Sequence, residues 1–324
     1  MAHNTRVLGH IVAFLTVAVW GSTFVFTKLL LLSGLTAAQI FTLRFIIAYV
    51  SLMVFSLSRK SHRWMADTWR DELLMVGLGL AGGSLYFLTE NEAMNYTTTT
   101  NTSLIVCLCP LFATALIGAF YKTERLRPSQ LLGTLLAAIG VIVVVLNGHF
   151  VLHLSPLGDS LAFAACLCWA VYSLLMIPAN RRYDVVFITR KVFFYGLLSM
   201  IPYYLWVSPA EFNLSILHIF NPANPQSFNP AILLNLLFLG FIASMLCFVA
   251  WNWAMKRIGA VTATNYVYIN PVTTIVFAWL ILGEQITVFF LLGTVLIIAG
   301  MYLADRKQPV HLGNPLSTIK KLRK

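Results

Sequence analysis

Ten apolar stretches of about twenty residues follow one another along the chain, and the gaps between them are alternately rich in Lys and Arg and free of both. A helix rises 1.5 Å per residue, so about twenty residues cover the roughly 30 Å of hydrocarbon in a bilayer. The stretches fall at 8–31, 36–57, 72–95, 98–120, 128–147, 156–179, 186–207, 230–255, 260–283 and 286–304. Arg6 precedes the first. Arg59, Lys60, Arg63 and Arg70 follow the second, and Lys122, Arg125 and Arg127 follow the fourth. Arg181, Arg182, Arg190 and Lys191 lie around the sixth gap, Lys256 and Arg257 follow the eighth, and Arg306, Lys307, Lys320, Lys321, Arg323 and Lys324 form the tail. Of the 22 Lys and Arg, Arg190 and Lys191 fall near the edge of a stretch and only Lys28 and Arg44 fall further inside one. Cytoplasmic loops carry the excess of Lys and Arg, so both termini and every second gap are expected inside. The predicted fold class is an all-α integral membrane protein with ten transmembrane helices.

Composition agrees: 59% hydrophobic and 10% charged residues with mean hydropathy +0.81, against about 25% charged in a soluble domain. The net charge of +11 would elsewhere suggest nucleic acid. Here the bases sit at membrane edges, where they orient helices and meet anionic lipid, so the expected partner is the bilayer. Cys107, Cys109, Cys166, Cys168 and Cys247 all lie in apolar stretches and read as small buried hydrophobes without disulfide or metal spacing. The first stretch is too long for a cleavable signal and reads as a spanning helix. No phosphate-cradling Gly loop with Lys-Ser/Thr occurs, and His3, His10, His62, His149, His153, His218 and His311 are scattered over ends and loops. Neither an enzyme nor an ATP-driven pump is expected, and no cofactor or metal.

The chain repeats itself. Leu8, Gly9, Phe14 and Trp20 recur as Leu157, Gly158, Phe163 and Trp169 at a shift of 149, with weaker counterparts of Thr42 and Arg44 near Thr189 and Arg190. Asn91 and Ala93-Met94 recur as Asn252 and Ala254-Met255, and Pro110 as Pro271, at a shift of 161. Leu131-Leu132-Gly133-Thr134 recurs as Leu291-Leu292-Gly293-Thr294, Gly140 as Gly300 and Glu124 as Glu284, at a shift of 160. The shift jumps in the Pro- and Asn-rich stretch 208–229, expected to hold a short interfacial helix around Phe212–Phe220. The expected organisation is a cytoplasmic end 1–7, a first repeat 8–148, a second repeat 156–304 and a basic cytoplasmic tail 305–324. Each repeat has five crossings. An odd number makes the second copy enter from the opposite side, giving two inverted five-helix repeats, an architecture of carriers whose site lies near the midplane.

Trp20-Gly21-Ser22-Thr23-Phe24 with Lys28, and Leu43-Arg44-Phe45, resemble the opening helices of EamA-type carriers of the drug/metabolite transporter superfamily. The Pro110 helix followed by Glu124-Arg125-Leu126, the Pro271 helix followed by Gly283-Glu284, and the Leu-Leu-Gly-Thr…Gly helices resemble them too. The resemblance covers about residues 8–304. It implies a ten-helix metabolite carrier, often an exporter of amino acids or related compounds, in a bacterial cytoplasmic (inner) membrane.

Polar groups inside hydrocarbon need a reason. Glu90, with Tyr86 one turn before and Gly83 two turns before on the same face, reads either as a cavity-lining carboxylate or as the structural ion-pair partner of Arg44. Glu92 reads as solvated, and Lys28 as reaching for the interface. Trp20 and Trp169 fall mid-span, away from the usual interfacial belts. With Ser22, Thr23 and Tyr172 they read as walls of a pocket or as ordinary helix packing. Thr97–Ser103 reads as a hydroxylated helix end or a polar lining. Its counterpart, with Thr262, Thr264, Asn265, Tyr266, Tyr268 and Asn270, leads into Pro271. Pro110 and Pro271 are expected to break their helices, shaping either packing or a watery cavity. Asn252, the counterpart of Asn91, is expected to face the cavity. The expected function is secondary transport of a small organic metabolite by alternating access, first an amino acid or similar polar compound. Proton-coupled efflux of hydrophobic cations, hanging on Glu90, and a non-transporting membrane scaffold are the alternatives.

Overall fold

The computed structural model describes residues 2–57, 63–97, 99–121, 128–146, 155–209, 230–282 and 287–305, and every regular element in them is a helix. Arg59, Lys60, Lys122, Arg125, Arg127, Glu124, Gly283, Glu284, the interfacial helix expected around Phe212–Phe220 and the basic tail lie outside the described residues.

The helices run α1 (Ala2–Leu32), α2 (Ala37–Leu57), α3 (Trp69–Tyr96), α4 (Thr99–Val106), α5 (Cys109–Phe120) and α6 (Pro128–Leu146). They continue as α7 (Pro156–Arg182), α8 (Val185–Val207), α9 (Pro230–Ile258), α10 (Ala260–Asn265), α11 (Asn270–Leu282) and α12 (Val288–Asp305). Six of them, α1, α2, α3, α7, α8 and α9, are long and apolar enough to cross a membrane, so the protein is a multi-pass membrane protein. The other apolar stretches are shorter or interrupted, and the interruptions have causes. Pro110 offers no N–H to the Val106 carbonyl. α4 accordingly stops at Val106, the chain turns through Cys107 and Leu108, and α5 begins at Cys109 with Pro110 in its first turn. Pro271 likewise offers none to Val267, and a 3₁₀ stretch, Tyr266–Ile269, separates α10 from α11. The Val267 carbonyl accepts instead from the Asn270 N–H and from the Cys107 thiol at 3.7 Å, so the two breaks meet.

Two other helices depart from α geometry at matching places. α3 widens to a π-helix over Leu80–Ser84 and α9 over Phe238–Leu246. Residues 80–84 fall on 241–245 at the shift of 161 that relates these segments. A widened turn exposes backbone groups and admits close neighbours. Gly82 packs flat on the Tyr172 ring, where a Cβ would collide with it.

Because lipid tails are as apolar as Leu, close packing and hydrogen bonds, rather than water exclusion, hold such helices together. Their contacts come in exchanged pairs. α1 packs on α9, and α3 on α7; α2 packs on α9, and α3 on α8; α1 packs on α11, and α5 on α7. α6 and α12 lie against each other antiparallel, Gly133 beside Gly300 and Gly140 beside Gly293. At the end carrying Arg63, Arg182 and Lys256, the basic end, charges fasten α3 to its neighbours. Arg182 pairs with Asp71 at 2.6 Å, and Glu72 takes both Lys191 and Tyr195. The Tyr183 hydroxyl accepts from the Asp67 N–H at 2.9 Å, and Lys256 bonds the Tyr183 carbonyl at 2.9 Å. Arg190 and Lys191, expected near a membrane edge, are both buried in this cluster. At the opposite end Lys28 donates to the Met94 carbonyl at 2.8 Å.

Candidate functional site

A cavity lies where the π segments and the helix breaks converge. Within it about 30 Å³ admits the centre of a water molecule. A void needs about 10–15 Å³ by that measure to hold one water. As the side chains stand, there is room for about two waters.

The walls are built from repeat-equivalent residues. Trp20 of α1 and Trp169 of α7 meet edge to face at 5.5 Å between ring centroids, at 88°. Phe87 and Phe248, equivalent at the shift of 161, lie 6.2 Å apart, and Val106 and Val267, equivalent at the same shift, complete the apolar lining. The Trp20 indole is fixed by a 2.8 Å bond to the Ala243 carbonyl inside the π segment of α9. Edge-to-face aromatic contacts contribute about 0.5–1.5 kcal/mol each beyond area burial, so these walls are stiff.

The polar lining does not follow the repeat. Arg44, 2% exposed, and Glu90, 8% exposed, both come from the first copy. Arg44 donates from Nε to Ser244 Oγ at 3.0 Å and lays its guanidinium over the Phe87 ring, 4.4 Å from the centroid. Glu90 accepts from the Tyr86 hydroxyl at 2.6 Å. The structural ion pair expected between Arg44 and Glu90 is not formed: among the described residues neither makes a contact ion pair. The cause is local, since Phe87 and Ser244 hold the guanidinium to one wall while Tyr86 holds the carboxylate on its own helix face. Asn270 and Thr23 also line the cavity. Trp169 Nε1 and Asn270 Oδ1 have no hydrogen-bond partner among the described residues. Buried polar groups are ordinarily satisfied, so an occupant with a donor and an acceptor fits here.

Of the residues singled out from sequence, Trp20, Thr23, Tyr86, Glu90, Trp169 and Asn270 line this cavity together with Arg44. Pro110 and Pro271 stand just beyond the breaks that supply Val106 and Val267. Ser22, Tyr172, Asn252 and Tyr266 are elsewhere. Ser22 bonds the Val19 carbonyl at 2.7 Å. Asn252, expected to face the cavity, accepts from the Tyr172 hydroxyl at 2.6 Å and donates to Thr189 at 3.0 Å, tying α9 to α7 and α8. Tyr172→Phe leaves the Asn252 carbonyl without that donor and is expected to cost about 1–3 kcal/mol, read as a lower unfolding midpoint in detergent. Tyr266 lies in a second cleft with His10, 2.9 Å from its ring nitrogen. Sequence reasoning missed Phe87, Phe248, Ser244 and the Ala243 carbonyl. Phe87 and Phe248 were findable, being equivalent at the shift already in hand. The other two depend on the π turn.

The second cleft breaks the exchange of contacts. α4 packs along α7, whereas its equivalent α10 stands off α1 at the basic end. In the space lie His10, Phe14, Asn265 and Tyr266, around about 470 Å³ open to water centres.

Six helices long enough to span a membrane, packed around a mostly apolar cavity that also carries Arg44 and Glu90, make a multi-pass membrane protein with an internal pocket. The chain belongs to the EamA-like transporter family, whose model matches residues 7–146 and again 156–304. It is 30% identical to an uncharacterized transporter of Archaeoglobus fulgidus over 92% of this chain and 98% of that one. It is 26% identical to a probable amino-acid metabolite efflux pump of Escherichia coli, over 90% of this chain and 93% of that one. A probable terminal-alkyne amino-acid exporter of Streptantibioticus cattleyicolor is also 26% identical, over 90% and 92%. A solved crystal structure shares the fold with a TM-score of 0.69 at 19% identity, covering 91% of this chain and 95% of its own.

Proposed function

We propose that this transporter is a secondary carrier of small zwitterionic metabolites, amino acids foremost, working by alternating access between two inverted five-helix halves. The observation that carries the substrate class is the pair Arg44 and Glu90: one cation and one anion in one cavity, both buried and not in contact with each other. A cargo carboxylate suits the planar guanidinium fork, and a cargo ammonium suits the Glu90 carboxylate. The aromatic walls suit the side chain between. Arg44 weighs against hydrophobic cations, which it would repel, and the cavity itself weighs against a mere scaffold.

The inverted arrangement is supported by the exchanged contacts. Where helix i of one copy touches helix j of the other, j of the first touches i of the second, as a twofold axis requires. The antiparallel course of the equivalent helices α6 and α12 supports an axis across the helices, in the membrane plane. With the Lys and Arg at one end, both termini lie in the cytoplasm, and the cleft beside His10 and Tyr266 opens on that side. Loading from inside, and so export from a bacterial cell across its inner membrane, accords with this cleft and with the names of the relatives.

The test is thermal unfolding of the purified protein with an aliphatic amino acid, the amine lacking its carboxylate and the acid lacking its amine. A ligand that binds the folded state raises its melting temperature with concentration. The amino acid alone should stabilise. Equal stabilisation by the bare amine would favour cation efflux instead.

A further inference from the structure

At the basic end, between the carboxyl end of α2 and the junction of α7 with α8, lies a cavity away from the cargo site, with about 360 Å³ open to water centres. We propose that it binds the phosphate oxygens of an anionic phospholipid headgroup. Three arginines line it, Arg63, Arg182 and Arg190, with Ser56 and Tyr183. Arg190 is the decisive one. It is 5% exposed; its Nη1 and Nη2 donate to the Ser56 hydroxyl at 3.4 Å and the Arg63 carbonyl, and its guanidinium lies over the Trp64 ring at 5.0 Å and the Phe187 ring at 5.7 Å, all of them neutral partners. Among the described residues no carboxylate pairs with it. A buried charge left without a counter-ion is costly, so a guanidinium held in place this way favours an anion supplied from outside.

The other charges around the cavity do not supply that anion. Arg63 pairs with Asp67, and Arg182 with Asp71, each with guanidinium donors to spare. Asp184 is the one acidic residue in the lining; its carboxylate caps the first turn of α8, accepting from Val186 N at 3.2 Å and Phe187 N at 3.0 Å, and acts on Arg190 only at a distance, leaving three arginines to one carboxylate in the lining. Phosphate, with oxygens spaced for the planar guanidinium fork, is the anion that several arginines hold best. Its source follows from position. The cavity sits where spanning helices end, and the neighbouring Trp64 and Trp69 are exposed, as amphipathic rings are at headgroup level. Basic pockets between helix ends at that level meet anionic headgroups at high local concentration.

The full chain is placed in phosphatidylcholine nanodiscs with and without phosphatidylglycerol, and separately in phosphatidylcholine with inorganic phosphate. Melting temperature and retained lipid, by native mass spectrometry, are the readouts. Phosphatidylglycerol should raise the melting temperature and leave one tightly held lipid, and Arg190→Gln should cut that retention at least about tenfold. Val186→Glu, which keeps every arginine and sets a carboxylate in the cavity lining at the first turn of α8, supplies the counter-ion from within, so it should raise the phosphatidylcholine value and erase the phosphatidylglycerol increment. An equal rise with inorganic phosphate alone would support the oxyanion site and assign it to a soluble ligand. No rise with either, or a rise that survives Val186→Glu, overturns the proposal.

Discussion

Arg44→Met raises the amino-acid concentration needed for half-maximal transport in proteoliposomes at least about 100-fold, if the cargo carboxylate docks on Arg44. A hydrogen bond to a charged group is worth about 1.5–3 kcal/mol, and a carboxylate uses two arms of the fork. Losing both costs about 3 kcal/mol or more, and each 1.4 kcal/mol is about tenfold in affinity. Methionine is chosen because its flexible apolar chain can stay packed on the Phe87 ring, where the guanidinium now lies 4.4 Å from the centroid. Arg44→Lys keeps the charge without the fork, so a smaller loss of about tenfold is expected. Glu90→Gln tests the other half of the pair. It should weaken transport of the amino acid while leaving that of an analogue lacking the amine unchanged. A folded Arg44→Met protein with wild-type transport contradicts the zwitterion assignment.

Gly140→Leu is expected to damage the fold severely. A Cβ on Gly140 would sit 2.7 Å from both the Gly293 carbonyl oxygen and the Ile297 nitrogen. Those are backbone atoms, and backbone cannot rotate aside as a side chain can. Overpacking in a core costs about 1–3 kcal/mol when side chains absorb it, and here two helix axes must separate. The contact is repeated through Gly133 and Gly300, so prising α6 from α12 at one crossing opens the other. The measurable result is loss of the monodisperse peak in size-exclusion chromatography and an unfolding midpoint below that of Tyr172→Phe. At Gly34, by contrast, nothing lies within 4 Å of an added Cβ, and only its φ of +91° is at stake. Gly34→Ala should cost no more than about 1–2 kcal/mol.

Much of this was legible in the residues because the bilayer imposes length and the loops record orientation. The long helices α1, α2, α3, α7, α8 and α9 follow from runs of apolar residues alone, and the breaks beside Pro110 and Pro271 follow from proline's missing N–H. The site was legible where the repeat pointed to it, at Trp20 and Trp169, and where a charge stood inside an apolar run, at Arg44 and Glu90. It was not legible where a fraction of a turn decides which way a side chain faces. The π turn over Phe238–Leu246 re-aims the helix around it, so the neighbourhood of Asn252 is not what a regular 3.6-residue period gives. Asn252 accordingly meets Tyr172 and Thr189 instead of the cavity. The Arg44–Glu90 pairing failed for a related reason: sequence places both at similar depth, but not the Phe87 ring and Ser244 hydroxyl that hold the guanidinium on its own wall.

The account stands on the two halves running oppositely through the membrane, and labelling of single cysteines tests that most directly. Ser33, after α1, and Arg181, at the end of the equivalent α7, are both exposed, while the native cysteines are buried or half-buried. In intact cells treated with a membrane-impermeant thiol reagent, Ser33→Cys should label and Arg181→Cys should not, and in inverted vesicles the pattern should reverse. Labelling of both positions from the same side would contradict the inverted halves and, with them, alternating access around the Trp20–Trp169 cavity.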